Sequence, residues 1–181
     1  MRIGLENISI AVRSWPSRED FDRFMKRAAN ALDLDVQIEY EKAFFSLTLQ
    51  SEPDGQELWT VGIRSEDHGI TPEAIALPQT QQLLIGSDSE IHFLSWATKM
   101  LTRTVPLGSL FRSFIVDQQR SLILVAHETG LAAFSMDGSQ RWKLTRDVVE
   151  TVRVQGDRLE ISFMDEAPIS VEIDSGREVH A

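Results

Sequence analysis

From Leu83 onward, short apolar runs alternate with turn-forming clusters at intervals of roughly 8–12 residues, and this pattern constrains the fold more than any other feature. The turns read Gly86-Ser-Asp-Ser89, Asp117-Gln-Gln-Arg120, His127-Glu-Thr-Gly130, Asp137-Gly138, Gln155-Gly-Asp157 and Asp165-Glu166. Between and after the last two, Leu159, Ile161 and Phe163, then Ile169, Val171 and Ile173, hold alternate positions, the period of a strand with one face buried. The segment 83–181 is therefore predicted to be an antiparallel β-meander.

The N-terminal part follows a different rhythm. Ile8, Ile10 and Val12 alternate as a strand. After Ser14-Trp-Pro-Ser17, the residues Phe21, Phe24, Met25, Ala28 and Leu32 recur at steps of three and four, with Arg18, Glu19, Asp22, Arg23, Lys26 and Arg27 on the other side. Ser17 is placed to accept from a first-turn amide, with Asp20 at the capping-box position. The spacing predicts one amphipathic helix over 17–32, its apolar stripe lying on a sheet. Asp33 and Asp35 end it. Val36, Ile38 and Tyr40 read as a second strand, and Phe45, Leu47 and Leu49 as a third. The unit 1–64 is thus β-α-β-β, with a further strand at Trp59, Val61 and Ile63. The stretch 65–82 holds Gly69, Pro72 and Pro78 among polar residues and reads as a long connection between the halves. The fold class expected is α+β, mainly antiparallel β, within one domain.

The meander repeats. Leu101-Thr-Arg-Thr-Val105 returns as Leu144-Thr-Arg-Asp-Val148, and Gly55-Gln-Glu-Leu-Trp59 shares its glycine-to-tryptophan spacing with Gly138-Ser-Gln-Arg-Trp142. A period near 40 residues, built from four short strands, matches one β-propeller blade. Ala133-Phe-Ser-Met-Asp-Gly138 with Trp142 resembles the outer hairpin of quinoprotein-like (PQQ-type) β-propeller repeats. Val171-Glu-Ile-Asp-Ser-Gly-Arg-Glu-Val179 is similar to a second copy, and Ile91-His-Phe-Leu-Ser-Trp96 to a degenerate third. Ser135 stands where the family usually has Asp, and the last copy lacks the tryptophan. The resemblance implies stacked, incomplete propeller-like sheets, with Trp59 and Trp142 packed between neighbours. It does not carry over quinone binding, which in the family uses a full ring. The open sheets are expected to be covered by the helix or by a second copy of the chain.

Charge narrows the partners. Eighteen Lys and Arg stand against 28 Asp and Glu, a net charge of −10, and neither half has a basic excess. Binding to phosphate backbones draws on basic side chains that release counterions, so nucleic-acid and anionic-membrane partners are disfavoured. The chain contains no cysteine, which excludes disulfides, thiolate metal sites and a cysteine nucleophile. The first residues lack a signal-peptide pattern and no apolar run is long enough to span a bilayer, so a cytoplasmic location is expected.

No motif selects a reaction. The histidines are His68, His92, His127 and His180, and none has a second ligand at metal spacing. His92, between Ile91 and Phe93, is expected on the solvent side of its strand. Glu66-Asp67-His68 is the one local group suited to acid–base work. No Gly-x-Ser-x-Gly elbow or phosphate-cradling glycine loop occurs, and Asp54-Gly55 and Asp137-Gly138 lack the preceding acids of a calcium loop. No cofactor or metal is expected. Trp15 and Trp96 are the candidate interface anchors. The function expected is non-enzymatic: an acidic binding protein, of the immunity or inhibitor type, acting on a protein partner or self-associating as a dimer. The alternative is a small enzyme using Glu66, Asp67 and His68.

Overall fold

The computed structural model describes residues 8–34, 42–52, 54–66 and 68–179. The first sheet contains β1 (Ile8–Trp15), β2 (Ala31–Leu34), β3 (Ala43–Ser51) and β4 (Glu57–Ser65), in the order β1-β3-β4-β2. Its strands are antiparallel except β2, which runs parallel to β4 through Ala31↔Thr60 to Leu34↔Ile63. The alternation of Phe45, Leu47, Leu49, Val61 and Ile63 sends those side chains to one face. The other face carries the single helix, α1 (Arg18–Met25).

Ser17 caps α1 as its sequence position predicts. Its hydroxyl accepts from the Asp20 amide at 3.2 Å and donates to the Asp20 carboxylate at 2.8 Å. Phe21 is wholly buried, in ring contact with Phe44 at 5.7 Å between centroids. Burial of such a ring stabilises the helix dock by about 2–3 kcal/mol. Gly62 of β4 permits the approach, because a Cβ there would lie 2.7 Å from Phe21 Cζ.

The helix is half the expected length. It ends at Met25, and Asn30 takes a left-handed conformation at φ 63°. Ala31–Leu34 then form β2, so Leu32, which continues the helical spacing, belongs to a strand. Leu32 and Leu34 gain burial in the sheet core, and this pairing overrides the periodicity. The strand expected at Val36, Ile38 and Tyr40 lies outside the described residues.

Next come β5 (Glu73–Leu77), β6 (Gln82–Ser87), β7 (Glu90–Ser95) and β8 (Met100–Pro106), a meander in chain order. The stretch 65–82 is thus not only a connection, since β5 pairs along its whole length with β6. Ala74, Ala76, Leu83, Ile85 and Leu94 of this second sheet share a core with the first, including Trp59 at 1% exposure. By its contacts the chain divides after Pro106 rather than within 65–82.

The second unit holds β9 (Phe111–Asp117), β10 (Leu122–His127), β11 (Gly130–Ser135) and β12 (Gln140–Thr145) as a four-stranded meander. A three-stranded sheet follows, made of β13 (Val149–Gln155), β14 (Arg158–Phe163) and β15 (Ile169–Glu172). Trp142 of β12 packs in the core shared by these two sheets, its Nε1 donating to the Ile173 carbonyl at 3.0 Å. The protein is mainly antiparallel β with one N-terminal helix, as its sequence implies.

The sequence repeat is real, but its register differs from the Leu-Thr-Arg match. Leu77↔Gln82 and Gln82↔Ser95 in the second sheet correspond to Asp117↔Leu122 and Leu122↔Ser135 in the third. Leu101 is the second residue of β8, opposite Leu94, whereas Leu144 lies near the end of β12 opposite Leu131, so the two segments are not structurally equivalent.

Candidate functional site

Glu66 and His68 meet just beyond β4, with 3.2 Å between Glu66 Oε2 and His68 Nε2. Their side chains are 50% and 37% exposed. Asp67 lies outside the described residues. Asp88, at the tip of the β6–β7 turn, accepts from the Ser65 hydroxyl at 2.7 Å, and burial raises its pKa above the ordinary carboxylate value. This is a hydrated acid–histidine pair beside a half-buried carboxyl.

The buried histidines lie elsewhere. His92 is 3% exposed, contrary to the solvent-side expectation, because both faces of the central strand β7 are covered. Its Nδ1 lies 3.2 Å from Thr104 Oγ1 and its Nε2 lies 3.8 Å from Glu90 Oε2. Burial lowers its pKa to about 4, so the ring is neutral at pH 7.

His127, at the end of β10, is fully buried. Its Nδ1 lies 2.8 Å from the Ser109 hydroxyl. Ser109 also accepts from the Thr129 amide at 3.1 Å and faces the Thr129 hydroxyl at 3.0 Å. The Thr129 amide and hydroxyl both donate to Ser109 Oγ, which leaves the Ser109 proton free for Nδ1. Nε2 has no partner among the described residues. Burial and the nearby Lys143 charge lower the His127 pKa to about 4. The spacing is that of a serine–base pair, yet a base this weak, in a ring with no orienting carboxylate, suits a staple between the 109 loop and the β10–β11 turn better than proton transfer. No sequence signal joined Ser109 to His127, since they are 18 positions apart in different elements.

Trp15 stacks on Phe24 at 4.6 Å, donates from Nε1 to Ser46 Oγ at 3.0 Å, and carries Arg13 over its ring at 3.8 Å. Trp96 is half-buried against the core of the first unit. Neither tryptophan joins the Glu66–His68 pair. His180 lies outside the described residues.

The first unit also contains a groove of about 380 Å³ between β2 and β8, each the last strand in its sheet among the described residues. Leu32, Leu34, Leu101 and Thr104 line it together with Asp33, Glu90 and His92. Arg64 grips Asp33 at 2.7 Å and Asp22 at 3.1 Å, whereas Glu90 has no lysine or arginine partner among the described residues. Arg18 also reaches Asp22, at 3.6 Å, so with His92 neutral these three carboxylates and two guanidinium groups leave a net charge of about −1.

No protein-family model matches the sequence, and no curated protein does. Solved structures do resemble it. A dihydro-heme d1 dehydrogenase NirN in complex with DHE aligns with a TM-score of 0.56 at 14% identity, over 76% of this chain and 34% of that one. Kuenenia stuttgartiensis hydrazine synthase aligns with a TM-score of 0.53 at 14% identity, over 76% of this chain and 44% of that one. Both are β-propeller proteins. The fold is propeller-like. This chain spans less than half the length of either neighbour, and identity at this level concerns the fold alone. Among the described residues, no helix is long and apolar enough to cross a membrane.

Proposed function

We propose that the protein is a non-enzymatic, cytoplasmic interaction protein of the immunity or inhibitor type, which binds a basic protein partner. One observation carries this reading: among the described residues, three of the four exposed large apolar side chains lie on terminal strands, the fourth being Met164 just beyond β14. Met100 at 61% and Leu101 at 41% lie on β8, and Val154 at 46% lies on β13. Unpaired strand edges bearing apolar side chains are where another chain adds most readily. A net charge of −10 disfavours a second copy and favours a partner of opposite sign. The exposure of the Glu66–His68 pair supports this reading over a small enzyme, since acid–base catalysts are tuned by burial.

The test is affinity capture from native extract at low salt, followed by reconstitution from purified components. A basic protein that is retained, released by salt and bound again when purified supports the reading. Recovery of no such protein, or of a dimer alone by light scattering, overturns it.

A further inference from the structure

We infer that the groove between β2 and β8 docks an extended segment of the partner in which apolar and basic side chains alternate. The inference rests on the interaction reading and adds where and how binding occurs. The floor is aliphatic, from Leu32, Leu34 and Leu101, so it takes apolar side chains. The Glu90 side chain is 35% exposed with no lysine or arginine partner among the described residues, whereas Arg64 and Arg18 balance Asp33 and Asp22. A lysine or arginine entering here meets negative charge in a partly desolvated setting, where a charge pair is stronger than in open water.

Backbone geometry favours an extended ligand. β8 has seven residues and ends its sheet, with Leu101 and Thr104 directed into the groove and Arg103 over the Phe93 ring at 4.2 Å. The register shift opposite Phe93 and Leu94 leaves Thr102 as the extra residue, its hydroxyl donating to the Phe93 carbonyl. Such a bulge discourages uninterrupted pairing along an edge. Side-chain insertion therefore carries specificity, and a ligand strand pairs only with the stretch beyond Thr102. A second copy would bring the same net charge of −10 to this site.

Fluorescence anisotropy with three labelled peptides, each the length of β8, tests this. One alternates valine with lysine, one serine with lysine, and one valine with glutamate. The full chain is expected to bind the first most tightly and the third not at all. Leu101→Arg and Glu90→Gln are each expected to weaken the first by roughly tenfold, while Met164→Arg, beyond the end of β14, leaves it unchanged. Thermal melts of each variant establish that it remains folded; all three positions are solvent-accessible. Equal binding of the two lysine peptides, or binding unaffected by Leu101→Arg, overturns the groove assignment. If Met164→Arg alone abolishes binding, the groove assignment fails while the interaction reading stands. No binding of any peptide also overturns the assignment, and partner capture then decides the broader reading.

Discussion

Gly176 lies directly against the face of the Trp142 indole: a Cβ on Gly176 would come within 2.6 Å of Trp142 Cδ2. Its φ of +66° is also one that a side chain disfavours. The two effects act together at a core position. Gly176→Ala is expected to lower stability by about 2–4 kcal/mol in urea unfolding. A change within about 0.5 kcal/mol of the parent would show that the indole moves aside freely.

Gly62 has the same relationship to the helix without the backbone strain, since no positive φ is involved. Gly62→Ala pushes on Phe21 Cζ and Met25 Cε, each 2.7 Å from the added methyl. The Met25 terminus bends easily and the Phe21 ring does not. The expected loss is about 1–3 kcal/mol, with little recovery on adding Met25→Ala. Full recovery in that double variant would move the clash from Phe21 to Met25.

Acid should unfold the chain through His92 and His127, the two histidines buried among the described residues. His92 and His127 titrate near pH 4 when folded, against 6.5 for the ordinary imidazole. Between those values the unfolded chain binds more protons, so the stabilisation is full above pH 6.5 and is lost as pH falls through 4. Each histidine contributes a loss on the order of 3 kcal/mol over that window. Urea midpoints from pH 7 to pH 4 should fall steeply in the parent and less steeply in His127→Asn. Parallel slopes in the two proteins would refute the assignment.

Gln81 and Ser121 occupy the same place in the β5–β6 and β9–β10 hairpins and share a left-handed backbone, φ 52° and 51°. Each closes its turn with a hydrogen bond from its backbone N–H to the carbonyl three residues back, at Pro78 and Gln118. Neither residue type favours that conformation. Gln81→Gly and Ser121→Gly are each expected to raise stability by up to about 1 kcal/mol, read as a higher urea midpoint. A drop at both sites would mean that the side chains hold the turns.

Parts of this architecture were legible because local chemistry and tertiary packing agree. Ser17 and Asp20 cap a helix in sequence and in structure, Gly138 takes a turn conformation, and Gly176 turns against Trp142. Legibility failed where two environments share one spacing. Leu32 fits a helical face, yet it pairs beside Val61 in a parallel strand. His92 alternates with Ile91 and Phe93, but alternation assigns solvent to one side only when a strand has an open side, and β7 has none. β5 reads Glu-Ala-Ile-Ala-Leu, buried on both faces, so it offered no contrast to set it apart from a loop. The groove escaped notice because Leu32, Glu90 and Leu101 converge only through sheet order.

The matched turns at Gln81 and Ser121 have a consequence for how such a chain can change. What recurs between the two hairpins is a backbone trajectory, while almost no side-chain identity recurs with it. The outward residues of each sheet are thereby free to drift under different demands. One meander can acquire a surface for a visitor while its sibling keeps only the duty of holding shape.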